Sequence, residues 1–407
     1  MSAADTLLLL LLFAAAAGLG WYFARRTSVR TVPGSPRQVS AEYFQGLNYL
    51  LNEQPDKALE VFIRMVDMDA DTVDTHFALG ALFRRRGETE RAIKVHQNLV
   101  ARPDLPREAR ARALNELAED YFKAGLFDRA EQVYTQVARG TVQREQGLRG
   151  LVRLYELQRD WEKAIGAMDQ LVSSSRDANG RVVAHYCCEL AQDAFNRGDM
   201  LSARHWLKRA QGADRDGVRG AMMRAAVAQR EGDHRLAVRL YEQALERDGG
   251  FLADVLPALR LSYMELGKGD VFERWLGEAL AKHPEWKPGV AFAAITDGTF
   301  DDKVTQQCIA DFVSGNPILT DILETLRPTL EGEGGKEAAV RRISRAMRRI
   351  AKSSPRYRCN VCGFSGNALY WQCPSCRGWD TTRPVTTFRF EAMLDPRAVS
   401  PESGRKR

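Results

Sequence analysis

The chain has 407 residues, 44% of them hydrophobic, and a formal net charge of +6. That ordinary apolar content excludes a polytopic membrane protein, while the length allows one large core or several smaller ones. The charge is uneven: residues 38–335 hold 39 basic and 47 acidic side chains, and residues 336–407 hold 16 and 5. A basic C-terminal part beside an acidic body reads as a module docked on its own chain, which requires no nucleic acid.

In chain order, the first element is an apolar run. From Leu7 to Ala24 every residue is apolar, aromatic or glycine, about 27 Å of helix and enough to cross a hydrocarbon core. Trp21 and Tyr22 close it where amphipathic rings favour the interface. Asp5 precedes the run, whereas Arg25, Arg26, Arg30 and Arg37 follow it. A cleaved signal has the opposite polarity, so residues 1–24 are expected to be an uncleaved single-pass anchor with the N-terminus outside. Residues 25–38 then form a basic linker, and the bulk of the chain is cytoplasmic. The cysteines outside the C-terminal cluster, Cys187, Cys188 and Cys308, show no disulfide pattern and suit a reducing compartment.

Residues 39–285 repeat themselves. A small or aliphatic residue, an aromatic three residues on (Ala in the fifth and sixth units), an Ala nine later and a bulky residue four after that recur as Gly46, Tyr49, Ala58, Phe62; Gly80, Phe83, Ala92, His96; Ala118, Tyr121, Ala130, Tyr134; Val152, Tyr155, Ala164, Met168; Ala191, Ala194, Ala203, Leu207; and Ala225, Ala228, Ala237, Tyr241. The steps of 34, 38, 34, 39 and 34 residues are those of tetratricopeptide helix pairs. A degenerate seventh unit surrounds Leu261, Tyr263 and Leu276. Such pairs stack into a solenoid with a concave ligand surface. Its groove positions are expected at Tyr43, Leu47, Phe77, Arg84, Asn115, Glu119, Arg149 and Arg153, a mixture suited to a peptide or protein. Residues 286–330 read as degenerate helices. Residues 331–354 combine a glycine-rich break with a basic amphipathic helix, in which Val340, Ile343, Met347 and Ile350 form the apolar stripe.

The most specific chemical motif follows in residues 355–387. Cys359, Cys362, Cys373 and Cys376 form two C-x2-C pairs ten residues apart, and two such turns complete a tetrahedral thiolate cage for one iron or zinc ion. Gly363 and Pro374 shape the turns. Residues 388–407 are a tail. The expected fold class is therefore all-α: one N-terminal transmembrane helix, a tetratricopeptide-repeat solenoid and a small rubredoxin-like or zinc-ribbon module. Four thiolates leave no position for an activated water, and no catalytic motif occurs, so the chain is not expected to be an enzyme.

The order of anchor, repeats and metal module resembles the lipopolysaccharide assembly protein B family of Gram-negative bacteria. The resemblance is carried by Gly20-Trp21-Tyr22 with Arg25-Arg26, Asp56-Lys57-Ala58, Leu82-Phe83-Arg84 with Arg86-Gly87-Glu88, and Arg91-Ala92-Ile93. Its most specific strings are Pro355-Arg356-Tyr357-Arg358-Cys359, Cys362-Gly363-Phe364, Leu369-Tyr370-Trp371 and Cys373-Pro374-Ser375-Cys376-Arg377. It implies an inner-membrane adaptor that presents the committed-step lipid A deacetylase to the protease FtsH, under an inner-membrane regulator that senses lipopolysaccharide. It also implies rubredoxin-type iron on the four cysteines. Two other readings compete: a general tetratricopeptide scaffold or co-chaperone, and a rubredoxin-type electron carrier. The chaperone version lacks a Lys/Asn pair in the first repeat, where Tyr43 and Leu47 stand.

Overall fold

The computed structural model describes residues 41–52, 54–68, 73–171, 176–297, 303–314 and 355–385. The expected anchor, the basic linker, the amphipathic helix of 336–352 and the tail lie outside them, as do the side chains of Tyr43 and Leu47. Among the described residues no helix is long and apolar enough to cross a membrane.

The chain divides between Gly147 and Leu148 into two compact units. The first holds three helix pairs: α1 (Ala41–Leu51) with α2 (Pro55–Met68), α3 (Val73–Arg85) with α4 (Thr89–Ala101), and α5 (Arg107–Lys123) with α6 (Phe127–Arg139). The division falls inside α7 (Arg144–Gln158), which pairs with α8 (Trp161–Leu171). The second unit continues with α9 (Arg176–Asn196) and α10 (Met200–Ala213), α11 (Val218–Arg230) and α12 (His234–Arg247), α13 (Leu252–Glu265) and α14 (Gly269–Lys282), then α15 (Lys287–Asp297) and α16 (Lys303–Ser314). It also contains β1 (Tyr357–Cys359), β2 (Ser365–Gly366) and β3 (Thr382–Pro384), an antiparallel sheet in the order β2-β1-β3.

One turn chemistry makes the pairs. The residue ending the first helix of a pair lies in the left-handed region: Gly87 at φ 81°, Gly125 at 75°, Arg159 at 58°, Gly198 at 80°, Gly232 at 84° and Gly267 at 67°. The amide of the following residue then donates five residues back, at 2.9 Å in every case, from Glu88 to Phe83, Leu126 to Tyr121, Asp160 to Tyr155, Asp199 to Ala194, Asp233 to Ala228 and Lys268 to Tyr263. This six-to-one bond is the Schellman closure of a helix C-terminus. Glycine fills five of the six positions because a Cβ there crowds the carbonyl, and Arg159 bears that strain. Asp199 and Asp233 then cap the next helices, each accepting from an amide three residues on at 3.0 Å.

The repeat alanines explain the packing. Ala58, Ala92, Ala130, Ala164, Ala203 and Ala237 are all fully buried, so paired helices meet where no larger side chain fits. Two first-helix glycines do the same for rings. A Cβ on Gly46 would fall 2.7 Å from Phe62, and one on Gly80 2.4 Å from His96. Cys187, Cys188 and Cys308 are buried fillers, and burial raises the Cys187 and Cys188 thiols to about 12 and about 11.

Candidate metal centre and its seat

The metal module consists of two knuckles built alike. In the first, the Cys359 amide donates to the Phe364 carbonyl at 2.7 Å and the Gly363 amide to the Cys359 carbonyl at 3.0 Å; in the second, Cys373 donates to Gly378 at 2.9 Å and Arg377 to Cys373 at 2.9 Å. The residue after each pair takes a positive φ, 76° at Gly363 and 58° at Arg377. That conformation turns successive amides toward the sulfurs. All four Sγ atoms lie within 4.8 Å of one another, with Cys359 to Cys376 at 3.7 Å and Cys362 to Cys373 at 3.6 Å. A tetrahedron of ~2.3 Å metal–sulfur bonds has edges of about 3.8 Å, so the four residues fit one metal ion.

The sulfurs are not equivalent. The Cys359 thiol is lowered to about 6, first by its hydrogen bond with Thr381 Oγ1 at 3.3 Å and then by the amide of Cys362. Cys362 is lowered chiefly by the Phe364 amide, whereas burial raises Cys373 to about 11. A bound cation would draw all four toward thiolate.

The module sits on the second unit through an aromatic seam. The Trp379 indole donates from Nε1 to Glu156 Oε1 on α7 at 2.8 Å, and Tyr186 on α9 donates to the same oxygen at 2.6 Å. The Trp379 ring stacks on His185 with centroids 5.2 Å apart and meets Trp161 and Tyr186 edge-on at 5.8 and 5.6 Å. Trp371 stacks on Phe251 at 5.3 Å, with the Arg219 guanidinium 5.6 Å from its centroid. Around these rings the contacts are polar. Tyr357 donates its hydroxyl to Asp254, Arg356 lies 3.4 Å from the same carboxylate, and Arg383 bridges Asp380 and Asp248.

Burial sets the electrostatics of the seam. His185 is lowered to about 4, first by burial and then by Arg219, with Asp380 opposing and Arg383 adding; it is neutral near pH 7. Asp254 is raised by burial, against the opposing pull of Tyr357 and Arg356. Asp248, Asp254 and Arg383 place some of the charge complementarity of body and tail at this contact, but its centre is aromatic.

The groove positions read from the sequence have varied surroundings. Tyr43 and Leu47 lie on α1, with side chains outside the described set. Phe77 is buried, under the Arg112 guanidinium at 4.1 Å from its centroid. Arg84 reaches from α3 to α5, where it donates to Glu116 Oε2 at 2.6 Å and Asp120 Oδ1 at 2.7 Å. The other Asp120 oxygen meets His96 Nδ1 at 2.5 Å, and both residues are fully buried. Asn115 and Glu119 are half-buried, and Arg149 and Arg153 are exposed on α7. Sequence reasoning did not single out Glu156, His185, Arg219, Asp254, Trp371 or Trp379 as contact residues. Their only local signal was the density of large aromatics between and after the cysteines.

Known proteins share these parts. A rubredoxin metal binding domain model matches residues 357–384, and tetratricopeptide repeat models match 75–109 and 115–179. Lipopolysaccharide assembly protein B of Escherichia coli K12 is 33% identical over 380 residues, covering 93% of this chain and 98% of that protein. Its namesake in Haemophilus influenzae Rd is 29% identical over 390 residues, covering 93% and 98%. Among solved structures, the C-terminal part of a tetratricopeptide repeat-containing protein from Cytophaga hutchinsonii aligns at 14% identity and a TM-score of 0.38, over 65% of this chain and 98% of that one. The identity with the Escherichia coli protein runs through both the repeats and the metal module, and on that ground the chain belongs to the lipopolysaccharide assembly protein B family.

Proposed function

We propose that this chain is a non-enzymatic, membrane-anchored adaptor in the control of lipopolysaccharide synthesis. The observation that carries the reading is the 33% identity over nearly the whole of both chains, joined to a repeat scaffold and a closed four-thiolate cage. Helix-pair solenoids present partners rather than transform substrates. A bound iron or zinc ion would supply a crosslink between the two knuckles, with no open position for substrate. The chain's own residues do the rest: Trp371, Trp379 and Tyr357 fasten the module to the helices of the second unit.

In this reading the partner is the committed-step lipid A deacetylase, delivered to FtsH at the inner membrane under a lipopolysaccharide-sensing regulator. The run from Leu7 to Ala24 would hold the array beside the protease, and co-localisation raises effective concentration without new contacts. Depleting the protein should lengthen the deacetylase half-life, and the protease and deacetylase should both co-purify with it in mild detergent. An unchanged half-life sinks the reading.

A further inference from the structure

A small cavity lies where α9, α11 and the metal module meet. It is lined by His185 and Cys188 of α9, Arg219 and Gly220 of α11, the turn residue Asp214 and Asp380 of the module, and its volume is about 20 Å³. Among the described residues, His185 Nδ1 and Arg219 Nε are buried without a hydrogen-bond partner, and the two residues are only 7% and 6% exposed. The rest of each side chain is committed. The Arg219 guanidinium donates from Nη1 to the His185 carbonyl at 3.4 Å and from Nη2 to Glu189 Oε1 at 2.7 Å, while Trp371 lies 5.6 Å from its centre. The His185 ring is stacked on Trp379. Neither group is free to turn elsewhere for a partner, and a buried polar atom with no hydrogen bond is strongly unfavourable.

We infer that this cavity is a binding site for one water molecule, which joins His185 and Arg219 of the repeat array to Asp380 of the metal module. The volume has room for a single water and nothing larger. Charge selects against an ion: Asp214 and Asp380 in the lining disfavour an anion, and Arg219, with Arg383 held on Asp380, disfavours a cation. With the imidazole neutral, donors and acceptors balance. The water accepts from the Arg219 Nε–H and donates to His185 Nδ1 and to Asp380, the carboxylate whose charge acts on His185. Three bonds are the usual complement of a buried water. The pattern puts the His185 proton on Nε2, because the bond made at one ring nitrogen sets the tautomer. The bridge also has partners on α9, α11 and the module, so it is complete only while the module is seated.

The test uses the full-length, zinc-loaded protein, labelled with nitrogen-15 at histidine. At neutral pH the His185 imidazole should show a bare Nδ1 and a protonated Nε2, and its ring protons should show nuclear Overhauser contact with a bound water. Gly220→Ala separates the water from the packing around it. A Cβ there meets only Cys188 Sγ, at 4.0 Å, so the helix accepts it, and by propensity alone alanine stabilises α11. The methyl takes the room of the water, so amides of residues 371–385 should instead exchange about tenfold faster, the effect of stranding one buried polar group, with the metal content unchanged. A proton on Nδ1, a ring without water contact, or unchanged or slower exchange in Gly220→Ala overturns the assignment.

Discussion

The two units use the same groove helices in opposite ways. In the first, Arg84 on α3 is consumed within the array by Glu116 and Asp120 of α5, and His96 on α4 closes the other side of Asp120. In the second, α7, α9 and α11 present Glu156, His185 and Arg219 to a separate object, the metal module. One unit satisfies its polar groups by ion pairs between neighbouring repeats. The other keeps one such pair, Arg219 to Glu189 at 2.7 Å, and adds the indole rings of the module to it. A buried ionic cluster is costly to break because each remaining charge is stranded, whereas an aromatic seam loses area and dispersion in proportion to what is removed. A repeat scaffold can thus dedicate one stretch to its own rigidity and another to fastening a domain, with little change in backbone.

The largest expected effect separates the two units outright. Structural tetrathiolate sites contribute on the order of 10 kcal/mol to the fold they close. Removing the metal, or changing Cys359→Ser, should therefore unfold residues 355–385 and expose the Glu156–His185–Arg219 seat. Hydrogen exchange should show faster amides there and unchanged ones around Asp120. Unchanged exchange at the seat would mean the seam survives without the cage.

Next come the two side chains at the centres of the contrast. Asp120→Ala leaves His96 without its carboxylate and Arg84 with Glu116 alone, and should cost about 3–5 kcal/mol, read by denaturant unfolding of the first repeats. Trp379→Ala removes the main ring of the seam and should cost about 3–5 kcal/mol in the second unit. An Asp120→Ala penalty well below about 3 kcal/mol would mean that the ionic cluster is not the brittle element described above.

Proton dependence sharpens the contrast further. His185 is lowered to about 4 when seated, first by burial, part of which leaving the module relieves, while Arg219 on the neighbouring helix keeps lowering it. The released state therefore binds more protons, so seating is strongest near neutral pH and weakens as the pH falls toward 4, by less than the ~3 kcal/mol that a fully free imidazole would give. A titration of Trp379 fluorescence should show this, and His185→Phe should flatten it. The smallest effects concern backbone strain. Arg159→Gly and Arg377→Gly, both at left-handed positions, should each stabilise by about 1 kcal/mol, measured as a shift in denaturant midpoint with unchanged slope.

The sequence made some of this legible and hid the rest for physical reasons. Ala58, Ala92 and their counterparts recur at fixed spacing because helix contact is a local, periodic demand, and all of them are buried. The four cysteines could be read as one cage because the ligand spacing within each knuckle is short. The Arg84–Asp120–His96 cluster could not be read, since its members stand 24 and 36 residues apart on helices whose charges look solvated in a linear pattern. Trp379 and Glu156 are 223 residues apart, and nothing in either neighbourhood names the other. His185 stacks on Trp379, a partner from the far end of the chain that no local pattern around either residue names.

Glu156 carries one more consequence. Tyr186 already donates to the oxygen that receives Trp379, so the carboxylate is aimed before the indole arrives. The rotamer freedom of that side chain is surrendered when the helices fold and is not charged again at each closure. The fastening can therefore open and reclose at low entropic penalty, behaving as a reusable latch rather than a weld.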